Sequence, residues 1–544
     1  LSARPFTRRY WAVVWLALRA GPLQALAALR HLATGKRVRA WNLLHSAAAA
    51  HPDFYACWIA LVEPDRQTEW IGARVAPLPG TRRLLAVLID RPESVESALS
   101  RRMIADIFGS NTPIVVAGAN GPNGSELKQV LRANEADWIL PLVAGDLLSP
   151  KLADVLVSAD ADCPAVFWDE DTIASGRRHQ PWAKPAWDPL LFDQFEGLLG
   201  AAVLRSDIVL ELWDAHVGEG ASDAALAEQL SRLCFAVACR GAQHVPLILT
   251  HRREAPVRKS RLRAVDVVHW PSVSIIIPTR DLPRHLASCL NGLEFLDYPG
   301  EVDLVIIDNG STDPAALELL AQHEARPDVQ VLRRPGPFNF AQLNNDAVAL
   351  AGGELICFLN NDVEPLDGGW LARLASRAAQ PDVGAVGALL FYPDQSIQHA
   401  GVAIGIGGAA GHVHKGMTTN DMVETPWYVA SRRVSAVTAA CMLVHRDKFL
   451  TVGGFDAGAF PVAFNDVDLC LKLDAAGYRN LFIAEAALIH HESKSRGEDD
   501  SPQKRARFAG ELQELQERWQ TQSYEDHWYS ALFSRTSEQC LLKF

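Results

Sequence analysis

The chain has 544 residues, 49% of them hydrophobic and 21% charged, the make-up of a folded protein with room for more than one domain. A formal charge of −12 argues against nucleic acid as the main partner. The nine cysteines form no CxxC pair and no framework spacing, which argues against a disulfide-built scaffold. They read as small core residues in a reducing compartment. The first stretch, "RPFTRRYWAVVWLALRAGPLQALAALRHLATGKR", mixes a Trp/Leu/Ala-rich body with basic residues. Its longest apolar run, Tyr10 to Leu18, is too short to span a bilayer. Two readings stay open for residues 1–50: a basic amphipathic segment lying in a membrane interface, or a helical segment docked on the protein body. Charges interrupt the body and no clean small-residue cleavage pattern follows, so it does not read as a signal peptide.

From about residue 82 the pattern is α/β. "RRLLAVLI" and "NTPIVVAGANG" read as strands, "GSELKQVLRAN" as a helix, and "EADWILPLVAGDLLSP" and "CPAVFWDED" as further strands. From "DQFEGLLGAAVLRSDIVLELWDA" onward helix dominates the expectation, and "HVPLILTHRRE" closes this half at about residue 255. The basic, aperiodic "HRREAPVRKSRLRAVDVVHWP" reads as a linker, centred on residues 256–270.

A second domain, 271–500, opens on "SVSIIIPTRD". A continuous β-branched run of this kind suits a strand buried on both faces of a parallel sheet. "RHLASCLNGLEFL", "EVDLVIIDNGSTDP", "AALELLAQHEA", "VQVLRRP", "NFAQLNNDAVALA" and "GELICFLNND" then alternate helix and strand, which implies a mostly parallel, doubly wound sheet. Ligands bind such sheets beyond the carboxyl ends of the strands. Both "IIDNGSTD" and "FLNND" place their polar residues there. "PQKRARFAGELQELQERW", Pro502 to Trp519, reads as one amphipathic helix within a C-terminal extension, 501–544.

Several polar groups have the types and spacing for chemistry. Asp308, with Asn309 beside it, stands where a strand ends and suits a nucleobase N–H or a ribose hydroxyl; the plain alternative is a turn that satisfies its own backbone. Asn360 and Asp362, two apart, point their oxygens to one side and suit Mg²⁺ or Mn²⁺ held partly by substrate phosphates. An Asn/Asp turn before Pro365 explains the same composition. Asp466 and Asp468 open an amphipathic helix, where the helix dipole alone favours acids. Asp466 is the candidate general base, which needs a carboxylate with one face open. His490 and His491 end a strand as candidate metal ligands beside Asp362, and Lys494 and Arg496 follow as phosphate contacts. "GHVHKG", with His412 and His414, reads better as a mobile loop over a substrate than as a metal pair.

Taken together, Val273 to Gly497 resembles the family 2, GT-A fold glycosyltransferases, most of all bacterial transferases of the rhamnosyltransferase type that build O-antigen and other surface polysaccharides. "VSIIIPTRD" resembles the first-strand motif and "LVIIDNGSTD" the nucleotide-binding motif. "FNFAQLNNDAVALAGGELICFLNNDVEP" leads into the D-x-D site, "VTAACMLVHRDKFLTVGGFD" lies along the acceptor side, "FNDVDLCLKLDAAGY" matches the E-D motif, and "LIHHESKSRG" the closing histidine strand. The resemblance implies an inverting transfer from a nucleotide-diphosphate sugar, dTDP-L-rhamnose being the best guess, to a lipid-linked or growing glycan at the cytoplasmic membrane face. It implies a divalent cation at Asp362 with Asn360 and His490 or His491, nucleoside contacts from Asp308, Asn309, Asn361, Pro278 and Thr279, and Asp466 as base. Asn360 stands for the first Asp of D-x-D and Asn465 for the Glu of the E-D motif, so two carboxylates of the pattern are missing.

Residues 51–255 resemble the same family less faithfully, through "AVFWDEDTIASGRRHQPWAKPAWDPLLF". Val143, Ala144 and Gly145 stand where metal-binding carboxylates belong, leaving Asp146, and Ala117 and Gly118 replace the acceptors of the nucleotide turn. The expectation is tandem GT-A domains, the first degenerate and non-catalytic, with Asp169, Glu170 and Asp171 as its remaining acidic cluster. The competing reading is a scaffold in which both domains have decayed. A nucleotidyltransferase would need a glycine-rich basic loop after the first strand, which "PTRDLPRH" does not supply.

Overall fold

The computed structural model describes residues 8–33, 37–73, 83–90, 94–118, 121–160, 162–195, 197–218, 223–255, 265, 267–491 and 501–544. It divides into two compact units, one of Leu1–Ser260 with Tyr529–Ser534 and Leu541–Phe544, the other of Arg261–Trp528 with Arg535–Cys540.

The first unit begins with three helices, α1 (Arg8–Ala20), α2 (Pro22–Ala33) and α3 (Arg37–Ala49). Gly21 joins the first two: a side chain there would meet Ala47 Cβ at 3.0 Å, so the turn passes close to α3. His45 on α3 is 1% exposed, stacked on Trp41 and packed against Phe54 and Phe544. Burial, partly offset by a backbone hydrogen bond to Leu542, lowers its pKa from 6.5 to about 4. Between these values the unfolded chain binds the proton and the folded one does not. Stability from this site is therefore complete above pH 6.5 and lost as pH falls toward 4, by about 3 kcal/mol. Urea unfolding at pH 7.5 and 4.5, with His45→Gln as the variant that removes the titration, reads this difference.

Eight strands follow: β1 (Leu84–Ile89), β2 (Ile114–Ala117), β3 (Trp138–Val143), β4 (Leu147–Leu148), β5 (Ala165–Ala174), β6 (Arg177–Trp182), β7 (Ala202–Arg205) and β8 (Ala242–Arg252). They form one sheet in the order β2-β1-β3-β7-β5-β8-β4, with β6 paired to β5. Leu85, Ala86 and Leu88 of β1 are 0% exposed, as a strand between two parallel neighbours requires. Where helix was expected to dominate, the four residues Ala202–Arg205 instead form a central strand, antiparallel to β3 and β5. Four residues are too few for an apolar period to show, and burial between two strands decides the matter. The helix follows it at Ser206–His216. Most of the expected linker lies outside the described residues.

The second unit holds β9 (Val273–Thr279), β10 (Val302–Asp308), β11 (Val329–Arg333), β12 (Leu355–Leu359), β13 (Val363–Pro365), β14 (Val383–Phe391), β15 (Ile397–His399), β16 (Val402–Ile404), β17 (Ala410–His412), β18 (Arg432–Arg433), β19 (Cys441–His445) and β20 (Arg479–His490). The main sheet runs β11-β10-β9-β12-β19-β14-β20-β13, with β15 on β14 and β18 on β20. From β11 to β12 all pairs are parallel. Beyond β12 the sheet is mixed: β19 is antiparallel to both neighbours, and β14 and β20 are parallel. The helix Pro502–Trp519 is as expected.

The two sheets trace the same path. In each, two parallel pairs lead to an antiparallel strand (β7 or β19), then a parallel pair (β5–β8 or β14–β20), then a short antiparallel strand closing the edge (β4 or β13). The second sheet adds one parallel edge strand, β11. These are two GT-A-like domains with helical extensions, as the resemblance implied.

Candidate functional site

The polar strand ends of the second unit are level. Thr279 and Asp308 are register partners at the ends of β9 and β10, with Pro278 opposite Ile307. Asp308 is 4% exposed, and its Oδ1 accepts from Ser311 N at 2.8 Å. Asp281 Oδ1 accepts from Thr312 N at 2.7 Å and Asp313 N at 2.8 Å, so the turn 308–313 is held from both sides. Asn309 Nδ2 donates to Arg334 O at 2.7 Å, and its Oδ1 is buried with no partner. Asn361 Nδ2 donates to Thr279 Oγ1 at 2.9 Å, tying the end of β12 to that of β9.

Asp362 sits one residue before β13, and β13 pairs antiparallel with the end of β20. Val363 is the register partner of His490, which brings His490 Nε2 to 3.2 Å from Asp362 Oδ1. Asn360 Nδ2 lies 3.4 Å from the same nitrogen. His491, one residue on, points the other way, as strand alternation requires, and its Nε2 lies 3.3 Å from Glu364. Of the two histidines, only His490 shares the Asp362 corner. Burial would raise the Asp362 carboxyl, but the hydrogen bond and charge of His490 outweigh it and hold it below the usual range.

The other ring nitrogen, His490 Nδ1, donates to Gln398 Oε1 at 2.8 Å. Gln398 was not singled out in the sequence. It lies on β15, remote in the chain, and only its position in "QSIQHAG" could have marked it. An amide oxygen there holds the proton on Nδ1 and turns Nε2 toward Asp362. Two arrangements satisfy the pair: a proton on Nε2, or a cation in its place.

Among the described residues, no group of three or more His, Cys, Asp or Glu side chains is placed to hold a metal. Mg²⁺ and Mn²⁺ do not need one, since one or two protein ligands plus substrate phosphates suffice. Octahedral bonds of about 2.1 Å set neighbouring ligands roughly 3 Å apart, close to the Asp362–His490 separation. The donor set fits such an ion.

Asp466 is half-buried at the start of the helix Asn465–Ala475, and its Oδ2 accepts from Ala439 N at 3.1 Å. Asn360 N donates to Ala440 O at 3.0 Å, so Ala439–Ala440 links the base candidate to the Asp362 corner. Asp468 is different: 0% exposed, it accepts from Arg518 Nη1 and Trp519 Nε1 at 3.0 Å each and anchors the C-terminal helix. Asn465 donates to Val462 O at 2.9 Å. Lys494 and Arg496 lie outside the described residues. His412 lies in a strand, and His414 in the turn that follows it. His412 is in β17 with its Nδ1 2.8 Å from that of His399, and His414 is buried and stacked on Tyr428.

The matching corner of the first unit is built differently. Asp146 precedes β4 as Asp362 precedes β13. Its Oδ1 accepts from Arg253 N at 3.1 Å, and a side chain at Gly145 would meet the Arg253 guanidinium at 2.8 Å. Burial raises the Asp146 carboxyl above its usual value against the pull of Arg252, the opposite of Asp362. The acidic cluster is consumed internally. Asp169 accepts from Lys184 N, Glu170 meets Lys184 Nζ at 3.1 Å and Arg252 at 2.7 Å, and Asp171 meets Arg178 at 2.6 Å. All three are at most 1% exposed.

Residues 274–427, within the second unit, match the family model "Glycosyl transferase family 2". The uncharacterized protein y4gI of Sinorhizobium fredii is 34% identical over 462 residues, 77% of this chain and 50% of that protein. The O-antigen biosynthesis protein RfbC of Myxococcus xanthus is 32% identical over 525 residues, 82% of this chain and 40% of that protein. An N-acetylglucosaminyl-diphospho-decaprenol L-rhamnosyltransferase of Mycobacterium tuberculosis is 27% identical over 242 residues, 41% of this chain and 75% of that enzyme. The chain spans half or less of the length of the first two relatives.

Proposed function

We propose that the second unit transfers a sugar, with inversion, from a nucleotide-diphosphate sugar to a hydroxyl of a lipid-linked or growing surface glycan. The observation that carries this is the corner where Asp362, held anionic, faces His490 at 3.2 Å, joined through Ala439–Ala440 to the half-buried Asp466. Thr279, Asp308, Asn309 and Asn361 would meet the nucleoside. Asp362 and His490, with Asn360, would hold Mg²⁺ or Mn²⁺, which when bound neutralises charge on the leaving diphosphate. Asp466 takes the proton of the attacking hydroxyl, and its bond from Ala439 N holds one oxygen in place. The names of the Myxococcus and Mycobacterium relatives support a surface-polysaccharide role and L-rhamnose as the transferred sugar, with dTDP proposed as its carrier from the resemblance. The first unit is proposed to be non-catalytic, because Arg252 and Arg253 crowd the carboxylate that a cation would need.

Titration calorimetry with dTDP, UDP and GDP, with and without Mn²⁺, tests the reading. One nucleotide is expected to bind in a Mn²⁺-dependent way, and Asp362→Ala to abolish it. Gln398→Leu, which frees His490 to turn, is expected to weaken Mn²⁺ about 10–100-fold. No binding by any of the three nucleotides to a folded chain would favour the scaffold reading.

A further inference from the structure

The first two helices of the first unit leave an apolar face uncovered. On α1, Trp11, Trp15 and Leu18 are 57%, 47% and 50% exposed. At 100° per residue they fall within about 60° of one another, opposite no other stripe of α1 that is as open. The inward side of α1 is a separate set: Val13, Leu16 and Ala17, all 0% exposed. On α2, Leu23, Leu26, Leu29 and Leu32 are 81%, 55%, 54% and 39% exposed, a row that winds through about 180° at 100° per residue, while Ala25 and Ala28 are buried. Scattered exposed leucines need no explanation, but seven large apolar side chains on two adjacent helices do.

The charged side chains of α1 and α2 themselves are all basic. Arg8 and Arg19 border the α1 stripe, the Arg19 guanidinium lying 4.7 Å from the centre of the Trp15 ring, and Arg30 stands within the α2 stripe. The chain carries no Asp or Glu before Asp53, although its net charge is −12. A tryptophan and leucine surface carried by helices whose own charged groups are basic, the neighbouring Asp53 and Asp65 being paired with His51 and Arg9, is complementary to an anionic lipid surface, with rings at head-group depth and guanidinium groups among phosphates. A second copy of the same face would bring like charges together, which disfavours self-pairing. No helix among the described residues is long and apolar enough to cross a membrane, so the contact is with one leaflet.

We propose that α1 and α2 form a docking face for an anionic membrane surface, with Trp11, Trp15, Leu26 and Leu29 entering the interface. This does not rest on the transferase reading. The full chain is mixed with vesicles of pure phosphatidylcholine or of phosphatidylcholine with about a third phosphatidylglycerol, and bound protein is measured by flotation. The wild type is expected to float with the anionic vesicles, and less so as salt is raised. Trp11→Ser/Leu26→Ser/Leu29→Ser, three exposed positions, is expected to lose about tenfold or more in partitioning while keeping its circular dichroism and its unfolding midpoint. Failure of the wild type to float with anionic vesicles overturns the proposal. So does equal floating of wild type and triple variant, or a wild-type dimer that the triple variant converts to monomer. Nucleotide titration of the same preparations is a separate readout, so loss of one activity does not imply loss of the other.

Discussion

Asp466→Asn is expected to lower kcat by roughly 10²–10⁴-fold while leaving nucleotide affinity unchanged. The amide keeps an oxygen to accept from Ala439 N, so the Ala439–Ala440 link survives, and the Oδ1 contact with Val467 N at 2.9 Å is given up. What is lost is the ability to take a proton from the acceptor hydroxyl. Asp468→Asn would not imitate this. Asp468 is buried against Arg518, Trp519 and Lys472, and its loss is expected to loosen the C-terminal helix instead. Steady-state rates with the donor identified by calorimetry, beside nucleotide titration of the same variant, separate the two roles. An unchanged kcat would remove Asp466 from the mechanism. A parallel loss of nucleotide binding would make it structural.

The largest stability effect is expected in the first unit, from Lys184→Met. Lys184 is 0% exposed; its ammonium donates to Trp168 O at 2.8 Å and Gly197 O at 2.7 Å and pairs with Glu170 at 3.1 Å. Burial, against the pull of Glu170, lowers its pKa to about 8, so it is still largely charged at neutral pH. Methionine fills much of the volume but removes the ammonium donor from both carbonyls and leaves Glu170 with Arg252 as its cation. Breaking one side of a buried ion pair costs about 3–5 kcal/mol. Urea unfolding followed by circular dichroism measures it; a change under about 1 kcal/mol would show that the network contributes little net stability.

Where these groups lie in the chain explains which of them could be read in advance. Asp308, Asp362 and Asp466 each stand at the end of an apolar run or the start of a helix, and local pattern marks such places. The four-residue strand β7 could not be read that way, because its identity comes from burial between β3 and β5. Gln398 carried no local signal either: its role exists only because β15 lies beside β14 and β14 beside β20, across 92 residues of chain. The loop reading of His412 failed for a related reason. Glycine-rich sequence suggests mobility, but His412 is held in β17 and by its contact with His399.

Adjacent His490 and His491 show the division most plainly. Their presence at the end of an apolar run is a property of the sequence, as are the order of the motifs and the loss of acceptors in the first half. Those features depend on residue type and on periods of a few residues, which the linear chain carries in full. Which histidine meets Asp362, which carboxylate is half-buried and which anchors the C-terminal helix, and whether a strand-end acid faces a histidine or an arginine depend on packing between distant segments. Register is set by how β13 and β4 settle against β20 and β8, since a shift of one residue reverses every side chain. That choice belongs to packing, and only the tertiary structure made it.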